Sequence, residues 1–162
     1  MKIAVLGGGN GSFAAAADFT LAGHEVALVR RNQADVDAHL AAGGAITRID
    51  GKGRQTAKIA SITTDIAAAV RGAELILCPT PAFAQHDLAR QVAPLLEPRQ
   101  VVYLPPGTFG SYLMTKVMRE AGNRADFAIA ETGTLPWLTR KHGPAEVAIT
   151  TRATRLPTGV FP

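Results

Sequence analysis

Short apolar runs rich in branched side chains recur at residues 3–6, 25–29, 74–78, 100–104, 127–130 and 146–150, without regular polar alternation. Helical patterns separate most of them. Residues 11–22 place Phe13, Ala17 and Leu21 four apart on one face and end before Gly23. Residues 81–96 read as a helix with Thr80 as N-cap, Pro81 at the first helical position, and Leu88, Val92, Leu95 and Leu96 as its buried stripe. A third helix over residues 111–121 turns Leu113, Met114, Val117 and Met118 inward and stops before Gly122. Apolar strands alternating with amphipathic helices predict an α/β fold, a doubly wound, mostly parallel sheet covered on both faces. Residues 43–64 break the rhythm with glycine-punctuated alternation and predict a small antiparallel excursion. The last residues, RLPTGVFP, read as apolar chain in transit rather than as a finished terminus.

The chain has 162 residues, enough for one domain with a real core and too few for two full ones. Hydrophobic residues make up 47% and charged residues 19% of it. No apolar run approaches the roughly 18 residues that cross a bilayer. The N-terminal Met-Lys-Ile leads straight into a strand pattern, unlike a signal peptide, so the expected location is the cytoplasm. One cysteine excludes an internal disulfide framework and a multi-cysteine metal site, and Cys78, in an apolar run, reads as a small buried hydrophobe. The net charge of +4 is spread over scattered basic residues with few aromatics between them, which fits a phosphorylated small ligand better than nucleic acid.

Chemistry concentrates in VLGGGNGSFAAAA, residues 5–17. Gly7, Gly9 and Ser12 fit the dinucleotide fingerprint G-x-G-x-x-G/A, with serine in the third small position, after a strand and opening a helix. Gly7 permits the tight turn, Gly9 leaves the backbone bare for a pyrophosphate, and Ser12 lets helix and sheet pack closely. Helix N–H groups there offer partial positive charge to the phosphates. Gly7, Gly9, Asn10, Gly11, Ser12 and Phe13 are therefore the expected pyrophosphate segment. At the end of the second strand, where an NAD site usually carries Asp or Glu, this chain has Arg30-Arg31-Asn32. Guanidinium groups bind a 2′-phosphate that a carboxylate repels, so NADP is expected over NAD, against the reading of two solvated arginines at a strand end.

In a doubly wound sheet the ligand crosses the carboxyl ends of the strands at the switch point. That places Thr80, Pro81 and Phe83 on the nicotinamide half, with Gly107 and Thr108 bordering the same cleft; Phe83 reads equally well as core. Glu131 and Thr132, after the fifth strand, are the candidates to face a substrate, the other reading of Glu131 being a cap or loop bridge. His86 is placed to approach the cofactor or to be an ordinary surface residue, and His39 is expected on a surface helix. Trp137 is expected to pack on a neighbouring element or another domain. No metal site is expected.

Three further segments carry a resemblance: ITTDIAAAVRGAELILCPTPAFA (62–84), LPPGTFGS (104–111) and AETGTLPWLTRK (130–141), together with VLGGGNGSFAAAA. With these the chain resembles, over almost its whole length, the N-terminal domain of the opine dehydrogenases, the octopine and nopaline dehydrogenase family. The Glu-Thr-x-Thr-Leu-Pro run with its following aromatic and Arg140 is the most specific part. The resemblance implies an NAD(P)-dependent oxidoreductase that reductively joins an amino acid to a 2-oxo acid. It also implies a substrate-attracting carboxylate at Glu131 and a helical second domain downstream of residue 162 that supplies a His and Asp catalytic pair. No catalytic residue is then expected within residues 1–162, and the piece alone should be inactive; its partner is that domain or a second copy in a homo-oligomer. Ser12, where glycine is common, and Pro105, where asparagine is frequent, depart from the family pattern. A ketopantoate-reductase-like or glycerol-3-phosphate-dehydrogenase-like oxidoreductase shares this first-domain layout without the Glu-Thr-x-Thr-Leu-Pro segment. A noncatalytic NADP-binding sensor is a third reading.

Overall fold

The computed structural model describes all residues from Met1 to Pro162. Its main sheet is built from β1 (Lys2–Leu6), β2 (Glu25–Val29), β5 (Ser61–Thr63), β6 (Leu75–Leu77), β7 (Val101–Leu104), β8 (Ala128–Thr132) and β11 (Thr158–Phe161). A second sheet holds β3 (Ala45–Asp50), β4 (Gly53–Lys58), β9 (Trp137–His142) and β10 (Glu146–Arg152). The helices are α1 (Asn10–Leu21), α2 (Gln33–Ala41), α3 (Ile66–Val70), α4 (Ala82–Val92), continued by a 3₁₀ turn at Ala93–Leu95, and α5 (Gly110–Glu120).

The main sheet runs β11-β8-β7-β6-β1-β2-β5, with every neighbouring pair parallel except β11 on β8. Strand order reverses between β1 and β6, so the doubly wound fold is as expected and its switch point opens beyond Leu6 and Leu77. Side-chain alternation divides the core. Ala4 and Leu6 join a cluster with Ile76, Val102 and Met114, while Ile3 and Val5 join another with Phe13, Ile46, Trp137 and Ile149.

The second cluster corrects the reading of α1. Its first two turns, Gly11 to Ala17, are buried all round, because α1 lies between the main sheet and the second sheet. Four consecutive alanines let both sheets approach the helix closely, and a helix apolar on every side is a buried one. The excursion at 43–64 is likewise more than a hairpin. β3 and β4 pair antiparallel as expected, but β3 also pairs parallel with β10, and residues 61–63 return to the main sheet beside β2. Residues 146–150, expected in the main sheet, belong to the second one. The C-terminal segment expected to be in transit pairs as β11 with β8 through Thr158–Thr132 to Phe161–Ile129.

An ionic cluster fastens the two layers. Asp18 on α1 accepts hydrogen bonds from Trp137 Nε1, Arg48 Nη1 and both Nε and Nη2 of Arg152, each at 2.8 Å. Trp137 packs edge-on against Phe19, so its neighbour is α1.

Candidate dinucleotide site

The loop after β1 turns at Gly7, whose φ of +140° is open to glycine and strained for other residues. A Cβ at Gly7 would lie 2.7 Å from Ser12 Oγ, which is the close packing expected of the small residue at position 12. Nothing lies within 4 Å of where a Cβ at Gly9 would be, so the backbone there faces open space at the N-terminus of α1. The buried hydroxyls of Ser12 and Thr80 lack any hydrogen-bond partner. Buried hydroxyls are ordinarily satisfied, and these two flank Gly7 from α1 and from the loop after β6.

Beside the turn is a cleft of about 430 Å³ bordered by Gly7, Arg30, Arg31, Phe83 and Asp87. It joins the carboxyl ends of β1 and β2 to α4. Phe83 is 84% exposed, which settles its alternative readings against the core. Pro81 is exposed and serves as N-cap of α4, so Thr80 stands one residue outside the cap position expected for it.

Arg30 and Arg31 differ. Arg31 is exposed at the cleft, whereas Arg30 is 6% exposed, pairs with Asp35 at 2.9 Å and lies 5.2 Å over the Phe13 ring. Arg31 is exposed as the solvated reading expects, whereas Arg30 is not, so the two are not equivalent. Asp35 is held in place by Asn32, the N-cap of α2, whose Oδ1 accepts the Asp35 N–H at 2.8 Å. The Arg30 guanidinium in turn keeps the Asp35 carboxyl below the usual carboxylate range.

The Phe13 side chain forms a platform beneath the loop. It is fully buried, with Arg30 and Lys141 over its ring and His39 stacked at 5.4 Å. His39 is therefore interior rather than on a surface helix face; its Nε2 lies 3.2 Å from Ala45 O, and burial pushes its pKa down. Gly11 also serves packing, since a Cβ there would meet Leu135 at 2.8 Å and Pro79 at 3.1 Å.

On the far side of the switch point, buried Gln85 donates to Pro106 O at 3.2 Å and Gly107 O at 3.1 Å, fixing the loop before α5. Thr108 is exposed, with φ of +56°. Glu131 and Thr132, the expected substrate-facing pair, are both hydrogen-bonded within the chain. Glu131 covers Gly107 and accepts the Ser111 N–H at 2.8 Å, so its carboxylate caps α5. Thr132 is 2% exposed and donates to Thr134 O. His86 lies beside Asp87 on α4, outside the residues that line the cleft. Cys78 is fully buried and desolvation lifts its thiol to about 12.

The sequence reading missed Asp35, Gln85 and Lys141. Lys141 had a signal: Trp137, Thr139 and Lys141 alternate with more exposed neighbours along β9, marking the face turned toward α1.

A switch-point cleft, a glycine turn and a cationic strand end define a Rossmann-type dinucleotide-binding domain. Residues 3–130 match the family model described as ketopantoate reductase PanE/ApbA, and the chain belongs to that family. An opine dehydrogenase of Arthrobacter sp. (strain 1C) is 34% identical over 152 residues, which are 90% of this chain and 40% of that relative. The fold matches octopine dehydrogenase with NADH and L-arginine at a TM-score of 0.86 and 22% identity, over 99% of this chain and 42% of that one. A PanE/ApbA family ketopantoate reductase from Ralstonia eutropha JMP134 matches at 0.69 and 21% identity, over 92% and 46%. Within that family the chain is similar in sequence to an opine dehydrogenase and in fold to both enzyme types. It spans less than half the length of these relatives.

Proposed function

We propose that the cleft binds a reduced nicotinamide dinucleotide, NADPH in preference to NADH. On this reading the chain is the cofactor half of an oxidoreductase that condenses an amino acid with a 2-oxo acid. The observation that carries it is the Gly7–Gly9 turn, open above Gly9 and flanked by the two partnerless hydroxyls of Ser12 and Thr80. Those groups fit a pyrophosphate, and the end of β2 supplies cations for the adenosine side. The 34% identical opine dehydrogenase, the octopine dehydrogenases crystallised with NADH, and a yersinopine dehydrogenase with NADP+ bound support the cofactor and reaction class.

When bound, the nicotinamide supplies the hydride that reduces an imine formed between the two substrates. The chain's own groups bind and orient. The α1 N–H groups and the Ser12 and Thr80 hydroxyls would hold the pyrophosphate, Arg31 would serve the adenosine end, and Phe83 would offer apolar surface to the dinucleotide. Gln85 holds the Gly107 loop still beside it. Proton transfer is assigned to the downstream helical domain that the resemblance to opine dehydrogenases implies; within this chain His39 is buried and His86 lies outside the cleft lining. The lone buried cysteine agrees with a reducing, cytoplasmic setting.

A ketopantoate-reductase-type reaction is the second reading, favoured by the family match over residues 3–130. Thermal unfolding of the chain with and without NADPH tests the binding step; a bound cofactor raises the midpoint, and an unchanged midpoint at millimolar cofactor contradicts the reading. NADPH oxidation by a chain extended through the downstream domain, with pyruvate and amino acids or with ketopantoate, separates the two reactions.

A further inference from the structure

The fingerprint asks for glycine at positions 7 and 9, yet position 8 is also glycine. The structure supplies a reason. A Cβ at Gly8 would lie 2.6 Å from Arg30 Cζ and 2.9 Å from its Nε and Nη2, so the buried guanidinium lies directly against the loop. Arg30 Nε is buried without a partner. From the other sheet, Lys141 reaches the same place: its backbone N–H donates to Asn10 Oδ1 at 2.9 Å, and its Nζ lies 3.4 Å from Gly8 O and 4.2 Å over the Phe13 ring.

Two cations thus share one aromatic platform. Asp35 is engaged by Arg30, and Lys141 has no ion pair of its own. Burial and the neighbouring Arg30 charge both disfavour the ammonium form of Lys141. A second anion at this spot would relieve that repulsion and satisfy donors now left over. The spot lies where the glycine turn meets the end of β2, which in a dinucleotide fold is the adenosine ribose side.

We infer that Lys141, delivered by β9 of the second sheet, binds the 2′-phosphate of the cofactor together with Arg30. This rests on the dinucleotide reading above and deepens it. The second sheet thereby takes part in cofactor selection as well as packing on α1, and Asp35 holds Arg30 in position until the phosphate arrives.

The test titrates the 162-residue chain with NADPH and NADH, as wild type, Lys141→Met and Lys141→Arg, with thermal unfolding of each to establish that it folds. Methionine keeps the apolar stem over Phe13 and removes the charge. The expected result is a loss of roughly 10-fold or more in NADPH affinity for Lys141→Met, the scale of one charge-assisted hydrogen bond, with NADH affinity unchanged within about twofold. Lys141→Arg should retain most NADPH affinity. Equal losses for both cofactors would overturn the inference in favour of a role at the pyrophosphate, and unchanged affinity for both would overturn it outright. Wild-type protein that binds neither cofactor would overturn this inference and the dinucleotide reading together, whereas failure of the Lys141 inference alone shows as intact wild-type binding without the selective loss.

Discussion

Arg152 meets Asp18 through two parallel hydrogen bonds, Nε to Oδ2 and Nη2 to Oδ1, both at 2.8 Å, between residues 134 apart in sequence. The pair, with Arg48 and Trp137 on the same carboxylate, joins the helix that opens the candidate site to the sheet that carries Lys141. Asp18→Ala leaves the indole N–H without its partner and leaves Arg48 and Arg152 with Asp50 as their remaining carboxylate, and is expected to cost about 1–3 kcal/mol, below the loss of a fully buried pair. Urea unfolding of wild type and variant measures it.

The same cluster sets an acid response. Burial raises the Asp18 pKa, but hydrogen bonds from Arg152, Arg48 and Trp137 outweigh it and hold the carboxyl below its ordinary value of 3.8. Its stabilisation is therefore complete above the unfolded-state value and is lost as pH falls through the lower folded-state value. Unfolding free energy should decline below about pH 5, and Asp18→Asn should flatten that decline. A variant with an acid limb as steep as wild type would assign the loss to other carboxylates.

Glycines 8 and 9 are adjacent and should behave differently. Gly9→Ala adds a methyl to open space, so the fold should persist while dinucleotide binding weakens. Gly8→Ala pushes the Arg30 guanidinium, the movable end of a long side chain, and should erode preference between NADPH and NADH with the fold intact. Titrations of both variants, with circular dichroism as the folding check, distinguish the two.

Glu131 separates capping from substrate recognition. Glu131→Gln should lower stability by about 1 kcal/mol, the scale of a charge at a helix N-terminus, and leave cofactor affinity unchanged. In a chain extended through the downstream domain, a large rise in the amino-acid KM with unaltered stability would return Glu131 to the substrate.

Cys78 should be silent to thiol reagents in the native state, since its thiol is buried and lifted to about 12. Reaction with an aromatic disulfide should begin only with unfolding, and fast labelling of native protein would contradict the packing of β6.

The sequence is most legible where local chemistry decides structure. The apolar runs of β1, β2, β6 and β7 and the glycine turn follow from short-range patterning, and the motifs at 62–84 and 130–141 pointed to opine dehydrogenases, one of which is 34% identical over 152 residues. What escaped depends on pairing between distant segments. β3 and β10 are about 100 residues apart, and nothing local in Glu146–Arg152 says which sheet it joins. The all-round burial of α1 depends on that second sheet, as do the platform role of Phe13 and the interior place of His39. Arg30 was read correctly as a cation at the end of β2, but its partner Asp35 lies on the next helix, where an acidic first turn reads as ordinary helix chemistry.

The cleft is proposed to be a dinucleotide site with a phosphate-selective adenosine end. Calorimetric titration of the chain with NADPH and NADH, wild type beside Arg31→Ala and Arg30→Ala/Arg31→Ala, tests it most directly. Tighter binding of NADPH by wild type and a selective loss of that advantage in the variants are expected. Failure to bind either cofactor, or equal affinities that the substitutions leave unchanged, would contradict it.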